Sequence, residues 1–447
     1  MHALSYSDKV VVFFAFCHYL IYELVFFFSI GFLGGAINRP VSLWKVFFPV
    51  FLLLYCSKIK APKVDRVIDS TINYNLIFLL FLAYLSVPSI FSPDGFESVF
   101  EWLKLFPRFI FWVAIYQLFS KRLLAFEALI KMVVVWSLFS VFQYAILVFT
   151  NGYNNIFIFD GVPVEFAGVY GLLGNVNSIM YFPGVSFGVV RLCGFWNEPS
   201  NASASIFASY FYANYLFNST GEKIWRISAY ILLIGGFLCL SNAGYLSIGI
   251  AISFGVLLKN RSGFGERLLA FVILAIGLFL ISVALLGRFF VADFGLENTW
   301  LKAAVGSREV TEESKDINQL SGGRLSLAEE IVSDILVRPL GFGVPVASEF
   351  GEFKNSASAP IMWLRSGGII GFILIISREL MVVLLGGNMV KRSLEGRLLF
   401  QAWIVVVVQQ SVYGSWMNPL YFIVTASLFG MANKFPKRHS FLENANR

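Results

Sequence analysis

Charged residues are scarce in this sequence: Asp, Glu, Lys and Arg make up only 14% of its 447 residues. An ordinary globular domain carries roughly a quarter of its residues charged. Hydrophobic residues account for 57% of the chain, and they occur in runs long enough to cross a bilayer. The sequence therefore predicts an integral membrane protein, with residues 1–447 forming a single membrane domain, and argues against a soluble enzyme.

Histidine and cysteine are also rare, and their positions exclude several kinds of site. His2 and His439 are terminal, and His18 lies inside the first apolar run. Zinc sites and Ser-His-Asp or Cys-His catalysis normally need imidazole, so we expect no metal, no cofactor and no such catalysis outside the membrane. The four cysteines are scattered and give no sign of a disulfide framework.

The net charge of +7 would suggest a nucleic-acid partner in a soluble protein. In a membrane protein it more simply reflects Lys and Arg retained on the cytoplasmic side. We therefore expect membrane lipid, and no nucleic acid, to be a partner.

The apolar segments predict an all-α protein, a polytopic bundle of about twelve transmembrane helices. Two stretches, residues 224–259 and 398–434, are too long for one crossing, so we divide each into a hairpin. The divisions fall at Leu240-Ser241-Asn242-Ala243-Gly244 and at Ser415-Trp416-Met417-Asn418-Pro419. The predicted helices lie near residues 10–30, 43–57, 74–91, 103–119, 124–149, 199–217, 225–240, 242–258, 267–287, 361–385, 398–414 and 416–433.

Lysine and arginine clusters in the short loops predict the orientation of the chain. Cytoplasmic loops carry an excess of these residues. The clusters follow alternate predicted helices, at residues 58–66, 121–122, 223–226, 259–267, 391–397 and 434–438. Both termini are therefore expected in the cytoplasm, and two long loops, residues 150–198 and 288–360, on the outer face.

The first long loop ends in polar and aromatic residues directly before a predicted helix. Pro199 suits the first turn of that helix, and Asn197 or Glu198 can accept its free N–H groups. Arg191 and Trp196 lie a few residues earlier. One interpretation is a helix cap with an interfacial tryptophan and an arginine that pairs with lipid headgroups. The other is a substrate site.

The second long loop contains a predicted amphipathic helix over residues 325–336. Apolar residues recur there with helical spacing, and acidic and hydroxyl residues form the other face. Arg324 opens this helix, where unpaired N–H groups and the helix dipole favour an anion such as phosphate. Pro339 and the glycines after it end the helix.

Arg191 and Arg324 are the arginine pair that we favour for binding one diphosphate, once the two outer loops fold together. An arginine fork binds phosphate oxygens in bidentate fashion and keeps its charge at any relevant pH. Arg338 lies fourteen residues after Arg324, about 21 Å along a helix axis, so those two cannot hold one diphosphate. Arg365 is a further candidate, although its side chain could simply extend to the membrane interface.

These motifs resemble the O-antigen polymerase (Wzy-type) and O-antigen ligase superfamily. The resemblance implies a membrane-embedded glycosyltransferase of the GT-C type, which acts on undecaprenyl-diphosphate-linked sugars at the periplasmic face of the bacterial inner membrane. It carries over Arg191 and Arg324 as the functional arginines. The elements that support it are Arg191-x-x-Gly194-Phe195-x-x-Glu198-Pro199-Ser200, the Leu240–Gly244 hairpin, Gly323-Arg324, Arg338-Pro339-Leu340-Gly341-Phe342-Gly343 and Gly368-Ile369-Ile370-Gly371.

The ligase branch has a functional histidine shortly before the Gly-x-x-Gly helix, where this chain reads Asn355 to Pro360 without one. The resemblance therefore implies a polymerase of oligosaccharide repeat units, with a chain-length regulator as a possible partner. Glu198 is the candidate general base, beside the catalytic arginines. The candidate substrate-binding residues are Arg338, Arg365, Trp196 and Asn197.

Two alternatives remain open at this stage: an O-antigen ligase, and a transporter of lipid-linked oligosaccharides or small solutes. Transporters usually carry functional charges inside the membrane. Glu23, Lys131 and Arg378 are the main candidates here, and we expect the latter two near the cytoplasmic ends of their helices.

Overall fold

The computed structural model describes residues 50, 52–54, 68–93, 95–121, 127–135, 137–138, 141, 179–181, 188–190, 199–258, 263–286, 335–344, 359–412 and 419–432. Apart from turns and one short hairpin, these residues are helical, which confirms the predicted all-α class. The hairpin lies within the first long loop. Its strands, β1 (Ile179–Tyr181) and β2 (Gly188–Val190), are antiparallel, with Met180 opposite Val189.

The helices are α1 (Ile68–Ile90), α2 (Phe96–Leu103), α3 (Leu105–Lys121), α4 (Pro199–Thr220), α5 (Lys223–Leu238), α6 (Asn242–Leu257), α7 (Phe264–Leu286), α8 (Ala359–Arg392), α9 (Leu394–Val412) and α10 (Pro419–Ala432). Residues 52–54 and 127–135 are helical as well. Most of these helices begin and end within a few residues of the predicted bounds.

The predicted division of both long stretches into two helices is confirmed. α5 ends at Leu238 and α6 begins at Asn242, and the Ser241 Oγ accepts a hydrogen bond from the Gly244 N–H at 3.2 Å. This cap satisfies one of the free N–H groups of the first turn of α6. α9 ends at Val412 and α10 begins at Pro419, while the residues between them lie outside the described part.

Two of the described helical stretches, Asn73–Ile90 and Ala359–Lys391, are long and apolar enough to cross a membrane. Ala243–Leu257 and Leu420–Met431 are apolar but shorter. The predicted bundle of about twelve crossings is thus supported only in part. The predicted helix over residues 10–30 lies outside the described residues.

Helix α9 lies at the centre of the bundle, where it packs against α4, α6, α8 and α10. Glycines on the neighbouring helices allow this close approach, because a side chain at Gly255 would overlap Gln401 and one at Gly386 would overlap Phe400. The Gln401 Nε2 also donates to the Ala251 carbonyl at 3.0 Å. Small residues and a buried amide thus fix the contacts of α9.

The structure corrects the sequence prediction at two places near the predicted outer face. Residues 92–102, expected as a loop, include the short helix α2. Helix α8 was predicted over residues 361–385 but extends to Arg392, and it is interrupted at Gly368, whose φ of 56° and ψ of −158° are not helical. That interruption organises the candidate site.

Candidate functional site

Five of the predicted site residues lie outside the described part of the chain: Arg191, Trp196, Asn197, Glu198 and Arg324. The pairing of Arg191 with Arg324, and most of the amphipathic helix over residues 325–336, therefore stay predictions. Arg338 and Arg365 are described, and the structure brings these two together.

Arg338 and Arg365 converge on one aromatic ring. The Cζ of Arg338 lies 5.2 Å from the centroid of the Phe342 ring, and the Cζ of Arg365 lies 5.8 Å from it. Both distances fall within the range of an attractive cation–π contact. Arg338 is exposed and Arg365 is partly buried. The sequence analysis named these arginines separately and did not identify Phe342 as the residue that joins them.

Residues 338–344, which we call the docked loop, are hydrogen-bonded to the interruption of α8. The Phe342 N–H donates to the Arg365 carbonyl at 2.9 Å, and the Ile369 N–H donates to the Pro339 carbonyl at 3.0 Å. In an unbroken helix, the Arg365 carbonyl would accept the Ile369 N–H. Here both of these groups bond to the docked loop, so the interruption supplies the partners that the loop needs.

Only glycine fits at the crossing of the two backbones. Gly341 and Gly368 have φ values of 93° and 56°, in the left-handed region that residues with a Cβ rarely adopt. A Cβ on Gly368 would overlap the Pro339 carbonyl oxygen, and one on Gly341 would overlap the backbone of Gly368. The Gly-rich sequence on each side is thus explained by close backbone contact.

Helices α1 and α2 hold the docked loop from the other side. The Tyr84 hydroxyl donates to the Leu340 carbonyl at 2.9 Å. The Val344 N–H donates to the Ser89 Oγ at 3.1 Å, and the Ser98 Oγ donates to the Val344 carbonyl at 2.8 Å. Both serines are fully buried. These contacts fix the loop in place and with it the backbone that carries Phe342 and Arg338.

A second group of charged residues lies in the middle of α8. Arg378 is only 2% exposed, and its Nη2 lies 2.8 Å from the Glu379 Oε1. Its Cζ lies 4.6 Å from the ring centroid of Phe78, 5.2 Å from that of Tyr421 and 5.4 Å from that of Tyr74. We call these five residues the mid-helix cluster.

The position of Arg378 corrects the sequence prediction, which expected it near the cytoplasmic end of its helix. Because α8 continues to Arg392, Arg378 lies ten residues beyond Gly368 and fourteen before the last residue of the helix. The sequence analysis did not note its partner Glu379, since a neighbouring pair of opposite charges is common at helix surfaces. Burial, rather than the pair itself, makes the cluster unusual.

A third polar contact joins α4 and α9 in the bundle. The Gln409 Nε2 donates to the Asn201 Oδ1 at 3.1 Å, and Gln409 is fully buried. Asn201 follows directly on Pro199 and Ser200 of the first predicted motif. This contact joins the start of α4 to the end of α9. The start of α4 follows directly on Glu198 in the sequence.

A comparison with models of protein families finds no match for this chain, and a comparison with curated proteins finds none either.

Proposed function

We propose that this chain is a membrane-embedded glycosyltransferase that polymerises undecaprenyl-diphosphate-linked oligosaccharide repeat units. In this proposal about twelve helices cross the inner membrane, both termini are cytoplasmic, and the site faces the periplasm. The observation that carries the proposal is the convergence of Arg338 and Arg365 on Phe342, where a loop docks at the interruption of a helix that is long and apolar enough to cross a membrane.

The chemistry requires positive charge beside a departing diphosphate. A hydroxyl of the acceptor sugar attacks the anomeric carbon of the donor, and the bond from that carbon to the phosphate oxygen breaks. The leaving group departs as undecaprenyl diphosphate with the electron pair, and the hydroxyl proton passes to a base, for which Glu198 is our candidate. Fixed guanidinium groups stabilise the developing charge, a contribution of several kcal/mol in comparable sites.

Arg338 and Arg365 fit the role of substrate binding in this scheme. A guanidinium that lies over an aromatic ring keeps its positive charge. Its N–H groups point outward in its own plane, where phosphate oxygens can accept hydrogen bonds from them. Arg191 and Arg324 would complete the positive site from the two outer loops, as the resemblance implies. Trp196 and Asn197 would then contact the sugar.

The experiment is a gel of surface polysaccharide from cells that lack the gene, complemented with wild type or with single variants. We expect Arg338→Ala and Arg365→Ala to shorten or abolish the polymer ladder while a single-repeat band survives. Arg226→Ala is the matched control, because Arg226 also lies over aromatic rings, 5.6 Å from the Phe217 centroid and 6.0 Å from that of Tyr230. A full ladder in both variants would count against the proposal.

The same gel separates the alternatives. A ligase would leave polymer on undecaprenyl diphosphate while every capped species is lost. An unchanged ladder without the gene would favour a transporter of another solute.

One observation favours the transporter as the second candidate. The mid-helix cluster contains an ion pair between the buried Arg378 and the partly buried Glu379, and functional charges inside the membrane are typical of transporters. We prefer the polymerase because the pair is neutral as a whole and enclosed by three rings, whereas Arg338 is exposed to an incoming ligand. Flux of a fluorescent lipid-linked oligosaccharide into proteoliposomes would test the second candidate directly.

A further inference from the structure

Helices α1 and α8 are antiparallel, and they contact each other along an apolar seam below the docked loop. A Cβ at Gly367 would lie 3.4 Å from Leu85, and one at Gly371 would lie 3.3 Å from Phe81. Two glycines four residues apart let the helix backbones approach closely. Such apolar contacts have no preferred direction. By themselves they therefore only weakly determine the position of α8 along the axis of α1.

The next contacts along the same seam are directional. Ten residues separate Gly368 from Arg378 on α8, and ten separate Tyr84 from Tyr74 on α1. At 1.5 Å per residue, each stretch measures about 15 Å, so the two helices run in register from the docked loop to the mid-helix cluster. There Tyr74 and Phe78 of α1 enclose the guanidinium of Arg378.

Glu379 ties the cluster to a third helix. Neighbouring residues of a helix point in different directions, yet the Arg378 Nε and Nη2 both donate to the Glu379 Oε1, at 3.2 and 2.8 Å. The Tyr421 hydroxyl of α10 lies 2.6 Å from one carboxylate oxygen and 2.7 Å from the other. The Glu379 carboxylate thus accepts hydrogen bonds from the guanidinium and from the Tyr421 hydroxyl of α10 at the same time.

We propose that the Arg378–Glu379 pair fixes the register of α8 against α1 and α10, and so positions the docked loop. A shift of α8 by one turn, about 5.4 Å, would take the guanidinium out of its rings and the carboxylate away from Tyr421. Both charges would then be left poorly satisfied at a depth where water is scarce, which makes every other register unfavourable. Fixing a register is the best supported use of a buried polar group.

The consequence reaches the docked loop because α8 is continuous from Gly368 to Arg378. The cluster sets the register of α8. That register determines the position along the helix axis at which the carbonyls of Arg365 and Ser366 accept the N–H groups of Phe342 and Gly343. Arg378 is therefore a positioning residue, about 15 Å from the loop that it positions. This inference holds whether or not the polymerase proposal does, since it concerns helix register alone.

The test is cysteine cross-linking in the full-length protein in native membranes. All four native cysteines are replaced, and reporter cysteines are introduced as Leu340→Cys in the docked loop and Val87→Cys on α1, both exposed positions. Val87 lies one turn after Tyr84, whose hydroxyl donates to the Leu340 carbonyl. A short bismaleimide then reports whether the docked loop lies against α1. Cross-linking needs no glycan substrate, so its result is independent of the polymer gel.

The decisive variant is Arg378→Leu with Glu379→Leu, which removes both charges and leaves neither unpaired. We expect this variant to accumulate in the membrane while its cross-linking yield falls about tenfold, because α8 has lost its fixed register. The matched control is Arg226→Leu with Glu222→Leu, an exposed pair of opposite charges at the start of α5, which should cross-link as the parent does. Parental yield from the Arg378–Glu379 variant would overturn the inference.

A milder variant tests the inference if the protein with Arg378→Leu and Glu379→Leu does not accumulate in the membrane. Tyr421→Phe keeps the ring over Arg378 and removes only the hydroxyl that holds Glu379, so we expect its yield to fall about threefold. Tyr245→Phe is the control, since the Tyr245 hydroxyl donates to the Phe237 carbonyl at 2.7 Å and so joins α6 to α5. Equal yields from these two tyrosine variants would contradict a role in register.

Discussion

Two regions of this protein place arginine against aromatic rings, and they differ in burial and in ionic partner. Where the docked loop meets α8, the guanidiniums of Arg338 and Arg365 share the ring of Phe342, and Arg338 is exposed. In the mid-helix cluster, one guanidinium shares three rings and a carboxylate, and it is almost fully buried. The Nη1 of Arg378 is buried without a hydrogen-bond partner, so Glu379 and the rings satisfy this guanidinium only in part.

The surroundings explain this difference. A buried ion needs a partner of opposite charge, because the apolar interior does not solvate it. At an exposed position such as that of Arg338, water performs that task. The same residue type therefore serves the fold in the middle of α8, and in our proposal it binds an anionic ligand near the start of that helix.

The largest effect should come from breaking the neutrality of the cluster. Arg378→Leu leaves the Glu379 carboxylate buried without its cation, which should destabilise the protein by about 3–5 kcal/mol. We expect low abundance in the membrane and a clearly lowered Tm in detergent. Arg226→Leu, which removes an exposed arginine, provides the baseline, and similar Tm values for the two variants would show that the ion pair contributes little.

A somewhat smaller effect is expected at the crossing of the docked loop and α8. Gly368→Ala forces a Cβ into the left-handed region and against the Pro339 carbonyl, at a cost of about 2–3 kcal/mol. Hydrogen exchange should become faster at the Phe342 and Gly343 amides. Gly387→Ala lies on the same helix with open space around it and should leave exchange unchanged. Unaltered exchange in Gly368→Ala would disprove the close crossing.

The ring shared by the two arginines should have a moderate effect. Phe342→Leu keeps apolar volume but removes both cation–π contacts, which together are worth about 1–2 kcal/mol. We expect faster amide exchange in the docked loop and a shorter polymer ladder. Phe96→Leu, at a ring that is 81% exposed, is the control. If polymer length and exchange match those of the control, Phe342 does not organise the arginines.

The smallest effect is expected where α2 meets the docked loop. Ser98→Ala removes the hydroxyl that donates to the Val344 carbonyl, a loss of about 1 kcal/mol. Exchange should rise locally at Val344 and leave α8 unaffected. Ser219→Ala, whose hydroxyl bonds only to the preceding turn of its own helix, should not change exchange in the loop at all. Equal exchange at Val344 in both variants would show that Ser98 does not hold the loop.

Sequence patterns predicted the helices and the hairpin breaks because those features are local. Ser241 and Gly244 mark the break between α5 and α6, because a serine that can cap a helix and a nearby glycine are signals visible in the sequence itself. Helix α2 was missed, since its few turns are short and lie between two apolar runs. The interruption at Gly368 was missed as well, because one glycine within an apolar run does not reveal its backbone angles.

Of the predicted site residues, the structure describes Arg338 and Arg365. Both were predicted as substrate-binding residues, and their arrangement was not predicted. Their meeting at Phe342 depends on hydrogen bonds between the docked loop and α8, which no local pattern encodes. The role of Glu379 depends in the same way on Tyr421, which is 42 residues away along the chain.

The hydrogen bonds that hold the docked loop also constrain the order in which the protein is assembled. Ser89 and Val344 are 255 residues apart in sequence, and Tyr84 and Leu340 are 256 apart. Helix α1 therefore leaves the ribosome long before its partners exist, and more than half of the chain is synthesised before they follow. A truncated chain that stops before α8 would lack the carbonyl groups of Arg365 and Ser366 that bond to the loop, so the docked loop forms only after most of the chain has been synthesised.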